Sequence, residues 1–177
     1  MSPRAPASVK LVPLSLDHLP LVMTWVNDRD VMQYFAQRQT RIEEDDERRY
    51  LASLIASRSD HVFSVFSGSD TSAESYVGQC SVNQVYAPAG NGRVFLVVRK
   101  EAQGRGLGAA ALASLIDTAF GPLGLHKLWL IVRRDNRRAQ AMYLRAGFEF
   151  EGVLRDEYRV GERYFDMVRM GMLAPGP

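Results

Sequence analysis

A glycine-rich loop between an apolar stretch and an amphipathic helix constrains the fold of this chain more than any other segment. The apolar stretch Val94–Val98 precedes the loop Gln103–Gly108, and the helical pattern continues to Phe120. Glycine stands at every second position of the loop, which removes the side chains that would hold a phosphate away from the backbone. The N-terminus of the following helix directs free N–H groups and the positive end of its dipole at the same place. The segment therefore predicts a diphosphate-binding turn between a strand and a helix.

Two common phosphate-binding loops do not fit this segment. A P-loop ends in Gly-Lys-Ser/Thr, and neither lysine nor a hydroxyl side chain directly follows the loop. The dinucleotide-binding fingerprint is formally met by Gly104, Gly106 and Ala109. That fingerprint requires an acidic residue about twenty positions further on, but Asp117 comes too early and Asp135 rather late. Too little chain also remains for the additional βαβ units of a Rossmann domain.

A second pattern lies downstream, in a helix predicted over Arg137–Ala146. Asn136, Ala139 and Tyr143 stand at positions i, i+3 and i+7, so they share one face of that helix. The small side chain of Ala139 leaves room along this face, between an amide at one end and a phenol two turns deeper. Gly147-Phe148 follows the helix.

At this distance from each other, the two patterns resemble the acetyl-CoA site of the GNAT acetyltransferases. The loop matches Gln/Arg-x-x-Gly-x-Gly/Ala, and the helix carries the Asn, Ala and Tyr of the second motif, followed by Gly-Phe. The C-terminal stretches Glu151–Arg155 and Met170–Leu173 resemble the branch that includes ribosomal-protein, spermidine and amino-sugar N-acetyltransferases. The resemblance covers nearly the whole chain, from about Val9 to Leu173.

The resemblance implies roles for individual residues. The strand before the loop is expected to diverge from its neighbour, so that its backbone pairs with pantetheine and one N–H, at Val97 or Val98, polarises the acetyl carbonyl. The residues implied to bind acetyl-CoA are Leu96, Val97, Val98, Gln103, Gly104, Arg105, Gly106, Leu107, Gly108, Ala109, Asn136 and Ala139.

Acetyl transfer to an amine also needs a proton for the departing thiolate. A thiol has an unperturbed pKa of about 8.5, and a tyrosine hydroxyl, with a pKa of about 10, can supply that proton. Tyr143 is therefore the predicted catalytic residue. A core tyrosine whose hydroxyl meets a backbone carbonyl is the alternative, and Asn136 is equally consistent with an ordinary helix N-cap.

Charged residues leave two questions open. The five acids Glu43–Glu47 at a helix start either complement the helix dipole in solvent or form a rim that attracts a polyamine or another amine. Asp156, Glu157 and Asp166 are comparable candidates for the general base, and none is assigned. The basic residues that flank the two motifs and are candidate phosphate contacts are Arg99, Lys100, Arg105, Arg133, Arg134, Arg137 and Arg138.

Composition bounds the class of protein. A net charge of +2 with 46% hydrophobic and 24% charged residues is typical of a soluble globular domain. We expect no membrane partner, because no apolar stretch approaches the roughly eighteen residues needed to span one, and no nucleic-acid partner, because no basic run is interleaved with stacking aromatics. The single cysteine, Cys80, indicates a cytoplasmic location and a buried strand position. No metal is expected, since His18, His61 and His126 lack metal-ligand spacing.

Periodicity and turn signals predict the order of elements. Strands are predicted at Val9–Leu14, His61–Ser67, Tyr76–Tyr86, Arg93–Val98, His126–Val132, Phe148–Arg159 and Tyr164–Leu173. Helices are predicted at Leu16–Asn27, at Val31–Gln37, from a Thr40–Glu43 capping box to about Arg58, at Leu107–Phe120 and at Arg137–Ala146. The fold class is α/β: one domain over residues 1–177, with flexible ends at 1–8 and 174–177 and a mixed sheet of about seven strands flanked by helices on both faces. The resemblance adds that the sheet is splayed.

These interpretations combine into one function. We expect an N-acetyltransferase that moves acetyl from acetyl-CoA to a primary amine by direct attack in a ternary complex. Polyamines, amino sugars and protein or peptide N-termini are all open as acceptors. The alternative is a non-catalytic acyl-CoA-binding or regulatory module, and Tyr143 favours the enzyme because binding alone does not need its hydroxyl. A homodimer is a further hypothesis.

Overall fold

The structure is a computed structural model that describes residues 7–35 and 40–176. Its strands are β1 (Val9–Pro13), β2 (His61–Ser67), β3 (Tyr76–Tyr86), β4 (Asn91–Val98), β5 (Lys127–Arg133), β6 (Glu149–Val160) and β7 (Arg163–Leu173). Its α-helices are α1 (Leu19–Met23), α2 (Arg29–Met32), α3 (Glu44–Ala56), α4 (Leu107–Phe120) and α5 (Arg137–Arg145). Short 3₁₀ helices occupy Leu16–His18, Ala87–Ala89 and Lys100–Ala102.

The seven strands form one mixed sheet in the order β1-β2-β3-β4-β5-β7-β6. Only β4 and β5 run parallel, and every other neighbouring pair is antiparallel. Side chains alternate across the sheet, so each face has its own core. The core that includes Leu112, Leu128 and Phe148 packs under α4 and α5, and the core that includes Val22, Leu51 and Phe66 packs under α1 and α3. The predicted mixed sheet of about seven strands with helices on both faces is confirmed.

The segment before α3 differs from the prediction. In place of one helix from Leu16 to Asn27, a 3₁₀ turn leads into α1, with a proline in the first turn of the α-helix. The helix predicted over Val31–Gln37 begins earlier and ends at Met32, with Asp28 as its N-cap. The end of that predicted helix lies partly outside the described residues.

The predicted Thr40–Glu43 capping box is wrong. Helix α3 begins at Glu44, and its N-cap Glu43 makes no side-chain cap hydrogen bond. The chain just before it is held extended by Asn27 instead. The Asn27 amide donates to the Ile42 carbonyl at 3.0 Å and accepts from the Ile42 N–H at 2.9 Å. This two-sided amide clamp, from a residue far away in sequence, fixes where the helix starts.

The two parallel strands separate after three residue pairs. Asn91, Gly92 and Arg93 of β4 pair with residues 127–129 of β5, and no pairing continues beyond them. The end of β4 stays bound to β3, with Leu96, Val97 and Val98 opposite Cys80, Gln79 and Gly78. The backbone groups of β4 that face β5 are therefore left without a strand partner. This is the divergence that the resemblance implied.

Gly78 sets how closely β3 approaches this free end of β4. Its φ of +153° is a value that L side chains rarely adopt, and a Cβ there would lie 2.2 Å from the Val97 carbonyl oxygen. Because the atom it would meet is backbone, only a shift of β4 could relieve the contact. Glycine at this position therefore fixes the position of the end of β4.

We expect Gly78→Ala to lower the free energy of unfolding by about 1–3 kcal/mol, the usual cost of forcing an extra group into a packed core. Gly152→Ala in β6 is the matched control, because a Cβ there has no neighbour within 4 Å. Urea denaturation of both variants measures the difference. Equal stability of the two would contradict the close approach of the strands.

Candidate active site

Three elements converge where β4 and β5 separate. At Gly108, in the first turn of α4, a Cβ would lie 3.2 Å from Val98 of β4 and 3.7 Å from the Met142 sulfur of α5. The absence of a side chain at this glycine lets the three elements meet. The glycine loop, the free end of β4 and the Asn136–Tyr143 face of α5 are thereby brought into one site, as the sequence predicts.

The glycine loop has the backbone geometry of an anion site. Gly104 and Gly106 adopt φ of +73° and +81°, values that only glycine reaches without strain. Gly106 is the N-cap of α4 and accepts the first helical hydrogen bond, from Ala110. The N–H groups of residues 107–109 find no acceptor among the described residues. A left-handed residue followed by helical ones turns successive N–H groups into one concavity, the arrangement that binds phosphate oxygens.

Gln103 ties the loop to its neighbours. Its amide donates to the Val98 carbonyl at 3.0 Å and accepts from the Arg138 guanidinium at 3.4 Å. The side chain therefore joins the end of β4 to the first turn of α5. Gln103 lies beside the loop, and both groups of its amide already make hydrogen bonds within the protein.

Most of the predicted phosphate-binding cations are engaged elsewhere. Arg133 is buried, pairs with Asp135 and lies 3.8 Å from the Phe165 ring centroid. The other three engaged cations make these contacts: Arg134 pairs with Asp166, Lys100 with Asp30, and Arg99 donates to the Glu74 carbonyl. Arg105 and Arg137 are exposed and make no ion pair with the described residues, and the exposed Arg138 donates to Gln103.

The α5 face is organised as its spacing predicts. Asn136 is the N-cap of α5 and accepts a hydrogen bond from the Ala139 N–H at 3.1 Å. Its amide nitrogen makes no hydrogen bond within the described part of the chain, so capping leaves a donor for a ligand. Ala139 is partly buried against the core under α4 and α5.

Tyr143 lies deepest on that face and is 8% exposed. Its ring meets Phe148 edge-on at a centroid distance of 5.8 Å. The hydroxyl has no hydrogen-bond partner in residues 7–35 and 40–176, so the alternative in which it meets a backbone carbonyl is not observed. Burial raises the pKa of Tyr143 to about 12. The phenol is therefore protonated throughout the neutral range and has a proton to donate there.

The opposite face of β4 carries residues that the sequence analysis missed. Val97 and Phe95 pack in the core under α1 and α3, and Gln79, beside Val97 in the register, is buried with its amide nitrogen unpaired. Arg93 and Trp129, the last pair before the strands separate, stand in contact at 5.7 Å. In the sequence, the signal that could have identified these residues is a charged arginine, Arg93, within a strand that is otherwise rich in apolar residues.

Three of the five acids at the start of α3 are paired or buried. Glu44 pairs with Arg48 and Asp46 with Arg49, while Glu47 is buried. Their pairing favours the helix-start interpretation over a cation-binding rim.

The candidate bases on the closing hairpin are also separated by their contacts. Asp166 accepts from the Asp156 N–H and from Arg134, and both contacts lower its pKa. A carboxylate held ionised in this way is a weak base. Asp156, in the left-handed region at φ 51°, and Glu157 lie where the pairing of β6 with β7 is interrupted, and both are exposed.

The described site contains neither an accessible thiol nor a group of metal-ligating side chains. Cys80 is fully buried in β3, and burial raises its pKa to about 12, so the prediction of a buried strand cysteine is confirmed. Within the described residues, no group of three His, Cys, Asp or Glu side chains is placed to hold a metal ion. No described helix is both long and apolar enough to cross a membrane.

Comparison with known proteins places this site in a family. The Acetyltransferase (GNAT) domain family matches residues 8–149. The spermidine N(1)-acetyltransferase of Escherichia coli (strain K12) is 27% identical over 175 residues, covering 92% of this chain and 84% of that protein. The N-alpha-acetyltransferase RimI of Mycobacterium tuberculosis is 43% identical over 58 residues, covering 33% of this chain and 34% of that protein.

A solved structure shares the fold. The spermidine N-acetyltransferase from Vibrio cholerae in complex with CoA and spermine superposes with a TM-score of 0.85 at 23% sequence identity, covering 94% of this chain and 96% of that chain. The family match takes in β1 to α5, and with them the glycine loop and the Asn136–Tyr143 face. The chain therefore belongs to the GNAT family of acetyl-CoA-dependent acetyltransferases.

Proposed function

We propose that this protein transfers acetyl from acetyl-CoA directly to the primary amine of an acceptor, within a ternary complex, and that Tyr143 protonates the departing sulfur. The observation that carries the proposal is the meeting of a free strand end, an unpaired helix N-terminus and a buried, unbonded phenol at one point. When bound there, acetyl-CoA supplies a thioester whose carbonyl an amine can attack.

The loop residues hold the diphosphate in this proposal. The N–H groups of Leu107, Gly108 and Ala109 donate to it, and the open backbone at Gly104 and Gly106 lets it approach. Arg105 adds a charge beside the loop. Leu107 contributes only its backbone, since its side chain is buried in the core under α4 and α5.

The free end of β4 positions the acetyl group. Backbone groups of Leu96 and Val98 that face β5 pair with the pantetheine arm as an added strand does, while Asn136 and Ala139 line its other side. The Val98 carbonyl already accepts from Gln103. The Arg99 N–H donates to the Val77 carbonyl, so the alternate residue Val97 also directs its backbone groups at β3. The Val98 N–H donates to the acetyl oxygen, where negative charge develops during attack.

Direct transfer is favoured over an acetyl-enzyme intermediate. Cys80 is the only cysteine, and it is fully buried with a raised pKa, so it offers no thiolate at neutral pH. In the proposed step the amine nitrogen bonds to the carbonyl carbon and the carbon–sulfur bond breaks. The Tyr143 proton moves to sulfur, and the proton lost by nitrogen leaves through Asp156, Glu157 or water.

A further part of the proposal is the chemical class of the amine that accepts the acetyl group. The relatives' names point to spermidine and to protein N-termini, and amino sugars share the same chemistry. Of the acids at the start of α3, Glu44 and Asp46 make exposed ion pairs within the helix, and Glu43 and Asp45 stay exposed to solvent. A cytoplasmic location and a homodimer stay predictions.

Replacing Tyr143 with Phe tests the catalytic role. We expect kcat to fall about 10²-fold, the lower range for removal of a general acid, while the Kd for acetyl-CoA changes less than twofold. Thiol release from acetyl-CoA with spermidine, glucosamine and peptide acceptors measures kcat, and calorimetric titration measures Kd. Tyr86→Phe is the control, since Tyr86 is 60% exposed. Unchanged turnover in Tyr143→Phe would refute the role. Acetyl-CoA binding without turnover in the unmodified protein would support the non-catalytic alternative.

Replacing Gly106 with Ala tests the diphosphate cradle. A Cβ in the left-handed region costs about 1–2 kcal/mol, and relaxation of that strain turns the N–H groups away from the ligand. We expect acetyl-CoA affinity to fall about tenfold, equivalent to about 1.4 kcal/mol. Gly124→Ala is the matched control, because Gly124 has φ +60° and equally open space. It should lose similar stability and keep its affinity, and equal affinity in both variants would contradict the cradle.

A further inference from the structure

A cationic cluster stands on the face of the sheet opposite α4 and α5, where β4 and β5 separate. Arg93 alternates along β4 with Phe95 and Val97, and Trp129 and Arg169 alternate with core residues of the α4 side, so all three project from the α1–α3 face. The Arg93 and Arg169 guanidinium carbons lie 5.7 and 4.1 Å from the Trp129 ring centroid. Opposite Trp129 on β7 is Gly171, and the side chains of Glu151 and Lys127 fill the space that a Cβ there would need.

The cluster has more positive than negative charge. Glu151 is shared between Lys127 and Arg169, whose Nε lies 3.3 Å from a Glu151 oxygen. The Arg93 guanidinium is half-buried against the Trp129 ring and interacts with Tyr158, and it has no carboxylate partner among the described residues. Three cations therefore face one carboxylate. Burial lowers the pKa of Arg93, the neighbouring Tyr158 raises it, and the charge of Arg169 lowers it. A half-buried guanidinium without a carboxylate partner is available to an external anion.

The cluster also lies within reach of the proposed reaction. Arg93 precedes Val97 by four residues on the same face of β4, which corresponds to about 13 Å between their Cα positions at the usual strand rise. The arginine side chain shortens that span. A molecule whose amine lies in the opening between β4 and β5, beside the free backbone of Leu96 and Val98, can therefore place a second group against Arg93, the last residue of β4 that pairs with β5.

We propose that the acceptor is a small primary amine that also carries an anionic group, a carboxylate or a phosphate, and that Arg93 binds this group beside Arg169 over the Trp129 ring. The planar guanidinium matches either anion through two parallel hydrogen bonds. The same cations disfavour a polyamine, which has only positive charges. This inference rests on the proposed acetyl transfer and narrows its acceptor.

Matched pairs of acceptors test the inference. Lysine differs from cadaverine by a carboxylate, and glucosamine 6-phosphate differs from glucosamine by a phosphate. We expect kcat/KM to be at least tenfold higher for the anionic member of one pair, and which pair responds separates carboxylate from phosphate. Spermidine is the cationic reference. Equal or higher kcat/KM for the members without the anionic group, or for spermidine, would overturn the inference.

Variants of Arg93 assign the preference to this residue. We expect Arg93→Gln to raise KM for the preferred anionic acceptor at least tenfold with kcat and the acetyl-CoA Kd nearly unchanged, Arg93→Lys to recover part of the loss, and Arg93→Glu to shift preference towards spermidine. The exposed Arg58→Gln is the charge-matched control. A preference that survives in Arg93→Gln would refute the assignment.

Binding measurements keep this inference separate from the proposed reaction. Calorimetric titration of the CoA-saturated protein with glucosamine 6-phosphate, glucosamine, lysine and cadaverine reports anion preference without turnover. Absence of thiol release with every amine would refute the proposed reaction. Absence of anion preference in both binding and turnover would refute the acceptor inference alone.

Discussion

The loss of pairing between β4 and β5 is the constraint on which the site depends. A strand inside a sheet normally satisfies its N–H and C=O groups on both sides, and unpaired buried backbone groups are costly. Here β4 keeps β3 on one side and has no partner on the other beyond Arg93. The arrangement is stable because Gly78 holds the β3 side at close range and Gln103 takes the Val98 carbonyl. What remains is a short length of backbone positioned to bind a ligand.

The two faces of this opening differ in character. On one side, α4 and α5 present glycine backbone, small side chains and a neutral phenol, which suit a diphosphate and a thioester. On the other side, Arg93 and Arg169 place charge against an indole ring. The donor's anionic end and the proposed acceptor's anionic end thus lie on opposite sides of one strand. In this proposal, backbone N–H groups bind the anionic end of the donor, and side-chain guanidiniums bind the anionic end of the acceptor.

Local signals predicted most of the fold, and long-range contacts account for what they missed. The strands and α4 follow periodicity and punctuating glycines, so their bounds agree within a few residues. The start of α3 does not, because the decisive contact joins Asn27 to Ile42 across fifteen positions. The glycine loop and α5 face were predictable because each is a local motif. Arg93 was not, since its significance arises only when β5 and β7 bring Trp129 and Arg169 beside it.

The fate of Arg133 has a mechanical consequence. Placed by sequence beside the phosphates, its guanidinium instead donates to the Gln33 carbonyl at 2.9 Å, stacks 5.3 Å from the Tyr34 ring, and contacts Phe165 of β7. The Arg133 side chain thus connects the segment after α2 to β7. Because one side chain makes all three contacts, a substitution at Arg133 would release Gln33 and Tyr34 from β5 and β7 together.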